Sequence, residues 1–175
     1  VSHADFAAQA ANLAYVRAVF GTWGFPELTS EELDRLPNLE IVFYGAGSVQ
    51  RFARPFLERG ITVVSAWAAN AVPVAEFTLA QILFPLKRGW HFMLTAKREA
   101  AWPVRTPVPG VYRSTVGLVS LGMIGRKVCE LLRPFDLQLL IYSQSATVET
   151  ARALGAELCS LEEIFRRADV VSLHT

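Results

Sequence analysis

The chain has 175 residues, 52% of them apolar, and its 17 lysines and arginines against 16 aspartates and glutamates leave a net charge of +1. With no basic block or stripe, that balance argues against nucleic acid or a membrane surface as partner and leaves a small-molecule ligand as the expectation. Cys129 and Cys159 form no C-x-x-C pair, and no His or Cys spacing matches a metal-ligand pattern, so buried thiols in a reducing, cytoplasmic setting and no metal site are expected.

In chain order, short β-branched or aromatic runs alternate with helical patterns, the signature of a parallel sheet covered by helices, an α/β fold. The start, VSHADFAAQAANL, lacks a basic segment and a continuous apolar core, so no targeting signal is read there. A helix near 4–12 leads to a strand at YVRAVF, and Thr29 with Glu32 has capping-box spacing ahead of a short helix that Pro37 ends. LEIVFY is the next strand, GAGS (45–48) a turn, VQRFARPFLERG a helix closed by Gly60, and ITVVSA a third strand. From Pro73 a long helical pattern runs to Trp102, with Pro85 and Gly89 placed to kink it. Pro73, Pro85, Asn70, Glu76 and Gln81 interrupt this apolar region and make it a poor membrane span.

PVRTPVPG (103–110) reads as an extended connection. The expected division is a first domain segment over 1–86, a helix and linker over 87–112, and a second domain over 113–175. In the second, STVGLVSL, LQLLIYS, AELCS and DVVSLHT are strands, separated by helices at GRKVCELLRPF, VETARALG and SLEEIFRRA. Val128, Leu131, Leu132 and Phe135 give the first of these helices one apolar face, and Ser160 with Glu163 forms another capping box.

VGLVSLGMIGRKV (116–128) carries the clearest chemistry. A strand entering a helix through a glycine turn leaves backbone N–H groups at the helix N-terminus, where the dipole favours phosphate. Gly122 would admit a pyrophosphate close to the backbone, Met123 and Ile124 would supply amides, and Gly125 would let the helix pack on the strand. Ser120 stands where the fingerprint G-x-G-x-x-G has its first glycine, so a wider or differently twisted turn is expected. At the end of the next strand Ser143 occupies the place of the acid that takes the ribose hydroxyls in NAD-preferring sites. Without that acid, Ser143, Ser145 and Thr147 could donate to a 2′-phosphate, so NADP is permitted; an ordinary polar loop is the alternative reading.

GAGS is a second strand-to-helix glycine turn. Ala46, Gly47 and Ser48 could bind a carboxylate as a small anion nest, or form only a turn. His174 falls at the carboxyl end of a strand, the functional edge of such a sheet, whereas His3 and His91 read as structural or solvated. Trp23, Phe25 and Trp67 lie near strand ends as walls of a cleft or as core aromatics.

The stretches LPNLEIVFYGAGSV, NAVPVAEFTLAQILFPLKR, TVGLVSLGMIGRKVCELLRPF and LEEIFRRADVVSLHT, in that order, resemble the D-isomer-specific 2-hydroxyacid dehydrogenases that use nicotinamide cofactors. The resemblance implies a flavodoxin-like substrate-domain segment followed by the first half of a Rossmann dinucleotide-binding domain, an NAD(P)-dependent reduction of 2-keto acids, and homodimers formed through the cofactor domain. It implies that Ala46, Gly47 and Ser48 face substrate, that Gly122, Met123, Ile124 and Gly125 hold pyrophosphate with Ser120 in the same turn, that Ser143 meets ribose, and that His174 and Thr175 begin a loop beside the nicotinamide ribose. The family's arginine, acid and histidine that act on substrate lie beyond the SLHT segment, so no catalytic residue is assigned, and these 175 residues alone are expected to be inactive. The opening strand of the family is not evident. A cut after DVVSLHT would expose an apolar sheet edge and favour self-association. A catalytically inactive nucleotide-binding regulatory or interaction protein of the same fold is the alternative.

Overall fold

A computed structural model describes residue 9, residues 12–100, residue 102 and residues 106–174. Most of the helix expected near 4–12, together with His3 and Thr175, lies outside these residues. The chain divides into two compact units, Val1–Asn70 and Ala71–Thr175.

In the first unit, β1 (Ala18–Gly21), β2 (Ile41–Tyr44) and β3 (Thr62–Ser65) form a parallel sheet in the order β1-β2-β3. Helix α1 (Ser30–Leu33) starts at the expected capping box: Glu32 N–H donates to Thr29 Oγ1 at 3.2 Å and Thr29 N–H to Glu32 Oε2 at 2.8 Å. Helix α2 (Ala53–Glu58) starts later than the pattern suggests, because no side chain caps it and Val49 O instead takes the N–H groups of Phe52 and Ala53 in a tight turn. Leu33, Leu36, Val42, Phe52 and Phe56 close the core on one face of the sheet. On the other face Phe20 and Phe43 stack at 4.8 Å, with Phe20 largely exposed.

Helix α3 (Trp67–Leu86) begins well before Pro73, which lies inside it with Pro85. Each proline removes one backbone N–H from the helix ladder, yet the helix continues. By length and composition α3 could cross a membrane. Its Ala75, Ile82 and Leu86 pack into the core of the second sheet, while Val72, Val74, Phe77 and Phe84 are exposed. That packing accounts for α3 beyond Asn70 belonging to the second compact unit. The kink expected at Pro85 and Gly89 is a full break: Arg88 adopts a left-handed φ of 52° and α4 (Gly89–Glu99) begins anew.

The second sheet contains β4 (Thr115–Val119), β5 (Gln138–Tyr142), β6 (Ala156–Leu158) and β7 (Val170–Leu173), all parallel, in the order β6-β5-β4-β7. Chain order therefore reverses at β4, and β7 pairs on the side away from β5. Helices α5 (Met123–Leu132), α6 (Val148–Ala153) and α7 (Leu161–Arg167) connect the strands. Val116, Leu118, Leu139 and Ile141 meet α3 and α5 through Ile82, Val128, Cys129 and Leu132, whereas Val119 and Leu140 meet Ile164 of α7. Both faces are covered, which accounts for the nearly continuous apolar runs in β4 and β5.

Gly117 sets the distance of α7 from the sheet: a β-carbon there would lie 2.7 Å from Ile164 Cγ2 and 3.1 Å from Ala168 Cβ. Gly117→Ala should lower the unfolding free energy by about 1–3 kcal/mol through overpacking. A shift of the urea midpoint at constant slope would measure this, and an unmoved midpoint would refute it.

Candidate nucleotide site and carboxylate turn

The carboxyl edge of the second sheet brings three expected site elements together. Ser120 follows β4, and its N–H donates to Tyr142 O at 2.7 Å, which sets Ser143 beside the turn. His174 follows β7, and its N–H donates to Val119 O at 2.9 Å. The glycine turn, Ser143 and His174 thus lie where β4 has β5 on one side and β7 on the other, the switch point at which open α/β sheets bind ligands. Thr175 lies outside the described residues.

The turn retains a glycine-like shape despite the serine. Ser120 has a left-handed φ of 76°, so its β-carbon bears strain. Gly125 is required by packing, since a β-carbon there would lie 2.7 Å from Ser120 O. Gly122 differs: its φ of −77° suits any residue, and a β-carbon there would meet nothing within 4 Å. It is the N-cap of α5, and no side chain caps that helix. The unused donors and the open space beside them fit a bound phosphate group. By contrast α6 and α7 are capped by Thr147 and Ser160, which accept from Thr150 N–H and Glu163 N–H.

Ser143 is partly buried, and its Oγ accepts from Ser145 N–H at 3.3 Å in a local turn. Thr147 Oγ1 accepts from Thr150 N–H as the cap of α6, which leaves its hydroxyl proton to donate as those of Ser143 and Ser145 can. His174 Nε2 lies 3.1 Å from Ser172 Oγ, and desolvation by burial holds the imidazole pKa below its ordinary value. Near neutral pH it is an uncharged hydrogen-bonding group. Both thiols are free; burial pushes Cys129 up to about 11 and also raises Cys159. Among the described residues no His, Cys, Asp and Glu cluster could hold a metal ion.

In the first unit, Ser65 Oγ donates to Ala46 O at 3.0 Å and also to Gly47 O, holding the GAGS turn by its carbonyls. None of Gly45, Ala46, Gly47 and Ser48 has a positive φ. Asn70 Nδ2 lies 3.3 Å from where a β-carbon on Gly47 would be, so the two residues are close neighbours. Asn70 escaped the sequence reading because a helix start at Pro73 left it in a loop; it lies in the first turn of α3. Ser48 is exposed and accepts from Gln50 N–H. Arg51 precedes α2, pairs with Glu27 at 3.1 Å and donates to Phe25 O. Phe25 is a core aromatic packed on Tyr44, Phe52 and Phe56, whereas Trp23 and Trp67 are exposed.

A glycine turn into an uncapped helix at a switch point defines a dinucleotide-binding class of α/β domain. Residues 80–175 match the family model for the NAD binding domain of D-isomer specific 2-hydroxyacid dehydrogenases, and the chain belongs to that family. It is 32% identical over 154 residues to a glyoxylate reductase of Thermococcus kodakarensis, covering 83% of this chain and 46% of that protein. A D-3-phosphoglycerate dehydrogenase of Mycobacterium tuberculosis is 32% identical over 148 residues, 83% of this chain and 28% of its own length. The chain therefore spans less than half the length of these relatives. A D-lactate dehydrogenase from Aquifex aeolicus, solved with NAD and lactic acid, shares the fold with a TM-score of 0.75 at 24% identity, over 95% of this chain and 50% of that one.

Two outcomes follow from this geometry. Ser120→Gly removes the left-handed β-carbon and should stabilise the protein by about 1 kcal/mol, seen as a higher melting temperature; an unchanged or lower one would show that the serine is unstrained. Because His174 takes up a proton less readily in the folded state than in the unfolded chain, its contribution to stability is present above the ordinary imidazole pKa of about 6.5 and is lost as pH falls below it. His174→Gln should flatten that acid-side loss in denaturation curves, and a curve identical to the parent would remove His174 as its source.

Proposed function

We propose that the full-length protein is a nicotinamide-dependent oxidoreductase that reduces a 2-keto acid to the D-2-hydroxy acid. The observation that carries this reading is Gly122: neither backbone conformation nor packing within the chain requires glycine there, and the open space adjoins the uncapped N-terminus of α5. In this proposal the backbone N–H groups of Gly122, Met123, Ile124 and Gly125 hold the pyrophosphate, Ser120 shapes the turn, Ser143 faces the adenosine ribose, and His174 and Thr175 approach the nicotinamide ribose. With no carboxylate at Ser143, NAD and NADP are both admitted at that position.

When bound, the reduced nicotinamide supplies a hydride to the keto carbon while the carbonyl oxygen takes a proton from an acid. Ala46, Gly47 and Ser48 would hold the substrate carboxylate through backbone amides, with Ser65 fixing the turn. Arg51 is committed to Glu27, so the gripping cation and the proton donor are assigned to chain outside these residues, and residues 1–175 alone should not turn over. The first unit is read as a segment of a flavodoxin-like substrate domain. Exposed Phe77 and Phe84 on α3 with Trp90, Met93 and Leu94 on α4 support a homodimer formed through the cofactor domain. A soluble cytoplasmic setting with no nucleic-acid partner belongs to the same proposal, supported by the two free thiols and the balanced charge.

In the full-length protein, Gly122→Ala should weaken NADH binding by about tenfold or more in calorimetry, through a β-carbon in the phosphate's space. The melting temperature without nucleotide should hold, because the new methyl has no neighbour. Unchanged affinity would place the nucleotide elsewhere. Nucleotide binding without reduction of any 2-keto acid would favour a nucleotide-sensing role for the same fold.

A further inference from the structure

The first sheet ends in an aligned row. Gly21 of β1 pairs with Tyr44 of β2, and Tyr44 with Ser65 of β3. Two positions beyond that row stand Trp23, Ala46 and Trp67. Parallel strands lie about 4.8 Å apart, so two tryptophans leave the edge on either side of the turn proposed for the carboxylate.

Their backbones are held. Phe25 N–H donates to Thr22 O at 3.0 Å, closing a turn with Trp23 and Gly24 at its apex and a Gly24 φ of 82°. Phe25 anchors that turn in the core at 7% exposure. Trp67 opens α3, where Asn70 N–H donates to Ala66 O at 2.9 Å. Trp23 is nonetheless 74% exposed and Trp67 52% exposed. Two large aromatic side chains on fixed backbone, in water beside a polar turn, gain by covering an apolar group.

Charge narrows the ligand further. Residues 1–70 contain no lysine and five arginines. Arg17, Arg51, Arg54 and Arg59 pair with Glu40, Glu27, Glu58 and Asp34. Arg35 follows α1 on the way to the start of β2, at the opposite edge of the sheet. Among the described residues, a phosphate or second carboxylate on the substrate would therefore meet no unpaired arginine of this unit at this edge.

From these observations we infer that Trp23 and Trp67 form a side-chain subsite flanking the Gly45–Ser48 turn, which selects 2-keto acids bearing a bulky apolar group. This rests on the 2-keto acid reductase reading. The aromatic faces bind the group attached to the keto carbon, while the backbone of Ala46 and Gly47 takes the carboxylate. Glyoxylate has no such group to bury, and a phosphorylated keto acid brings charge to an apolar wall.

The test is steady-state reduction of phenylpyruvate, glyoxylate and phosphohydroxypyruvate by the full-length protein with NADH and NADPH. Phenylpyruvate should exceed both others in kcat/KM by about tenfold or more. Trp23→Ala and Trp67→Ala should each cut the phenylpyruvate to glyoxylate ratio by about tenfold, whereas Trp102→Ala, at a site 97% exposed in the second unit, should keep it. Preference for glyoxylate or phosphohydroxypyruvate, or a ratio unmoved in both variants, would overturn the subsite and leave the reductase reading standing. Absence of turnover with all three acids despite nucleotide binding would overturn both.

Discussion

Residue 125 must lack a side chain because a β-carbon there would lie 2.7 Å from the carbonyl oxygen of Ser120. That close approach lets α5 start directly on the end of β4, with its N-terminus at the carboxyl edge of the sheet. It also fixes what surrounds the turn. The chain must reverse sharply between Val119 and Gly122, Ser120 takes the left-handed conformation to do so, and its N–H reaches Tyr142 O. The neighbouring strands then deliver Ser143 and His174 to the same edge.

Much of this was legible in the sequence, because periodicity and cap chemistry are local. The capping boxes at Thr29 and Ser160 form as their spacing implies, and the apolar face of α5 holds Val128 and Leu132 in the core, with Leu131 and Phe135 packed against it. The long helix was less legible. Proline signals placed its start at Pro73, but tertiary packing of Ala75, Ile82 and Leu86 carries a helix through both prolines from Trp67. Moving the start moved Asn70 from loop to first turn, beside Gly47. No sequence pattern reports that contact, since the two residues meet only through the neighbouring ends of β2 and β3.

The same distinction separates the aromatic residues. Trp23 and Phe25 lie in one turn, and their hydrophobicity alone does not divide them. Phe25 enters the ring cluster of Tyr44, Phe52 and Phe56, while Trp23 at the apex stays largely exposed. A turn anchored by one aromatic can hold another in water, because core burial of the first offsets the cost of exposing the second.

At the nucleotide edge, the departures from the usual fingerprint have a common electrostatic consequence. Ser120 and Ser143 are uncharged, and burial keeps His174 neutral near physiological pH. The favourable field at the turn then comes from the α5 N-terminus, equivalent to roughly half a positive charge. A backbone source of this kind does not titrate and cannot be lost by replacing a charged side chain. It does depend on the geometry that aims it, and that geometry rests on the absence of one β-carbon at Gly125 and the strain carried by another at Ser120. Fold stability and the aim of those N–H groups are thus coupled through the same turn: what relaxes the backbone there also changes where they point.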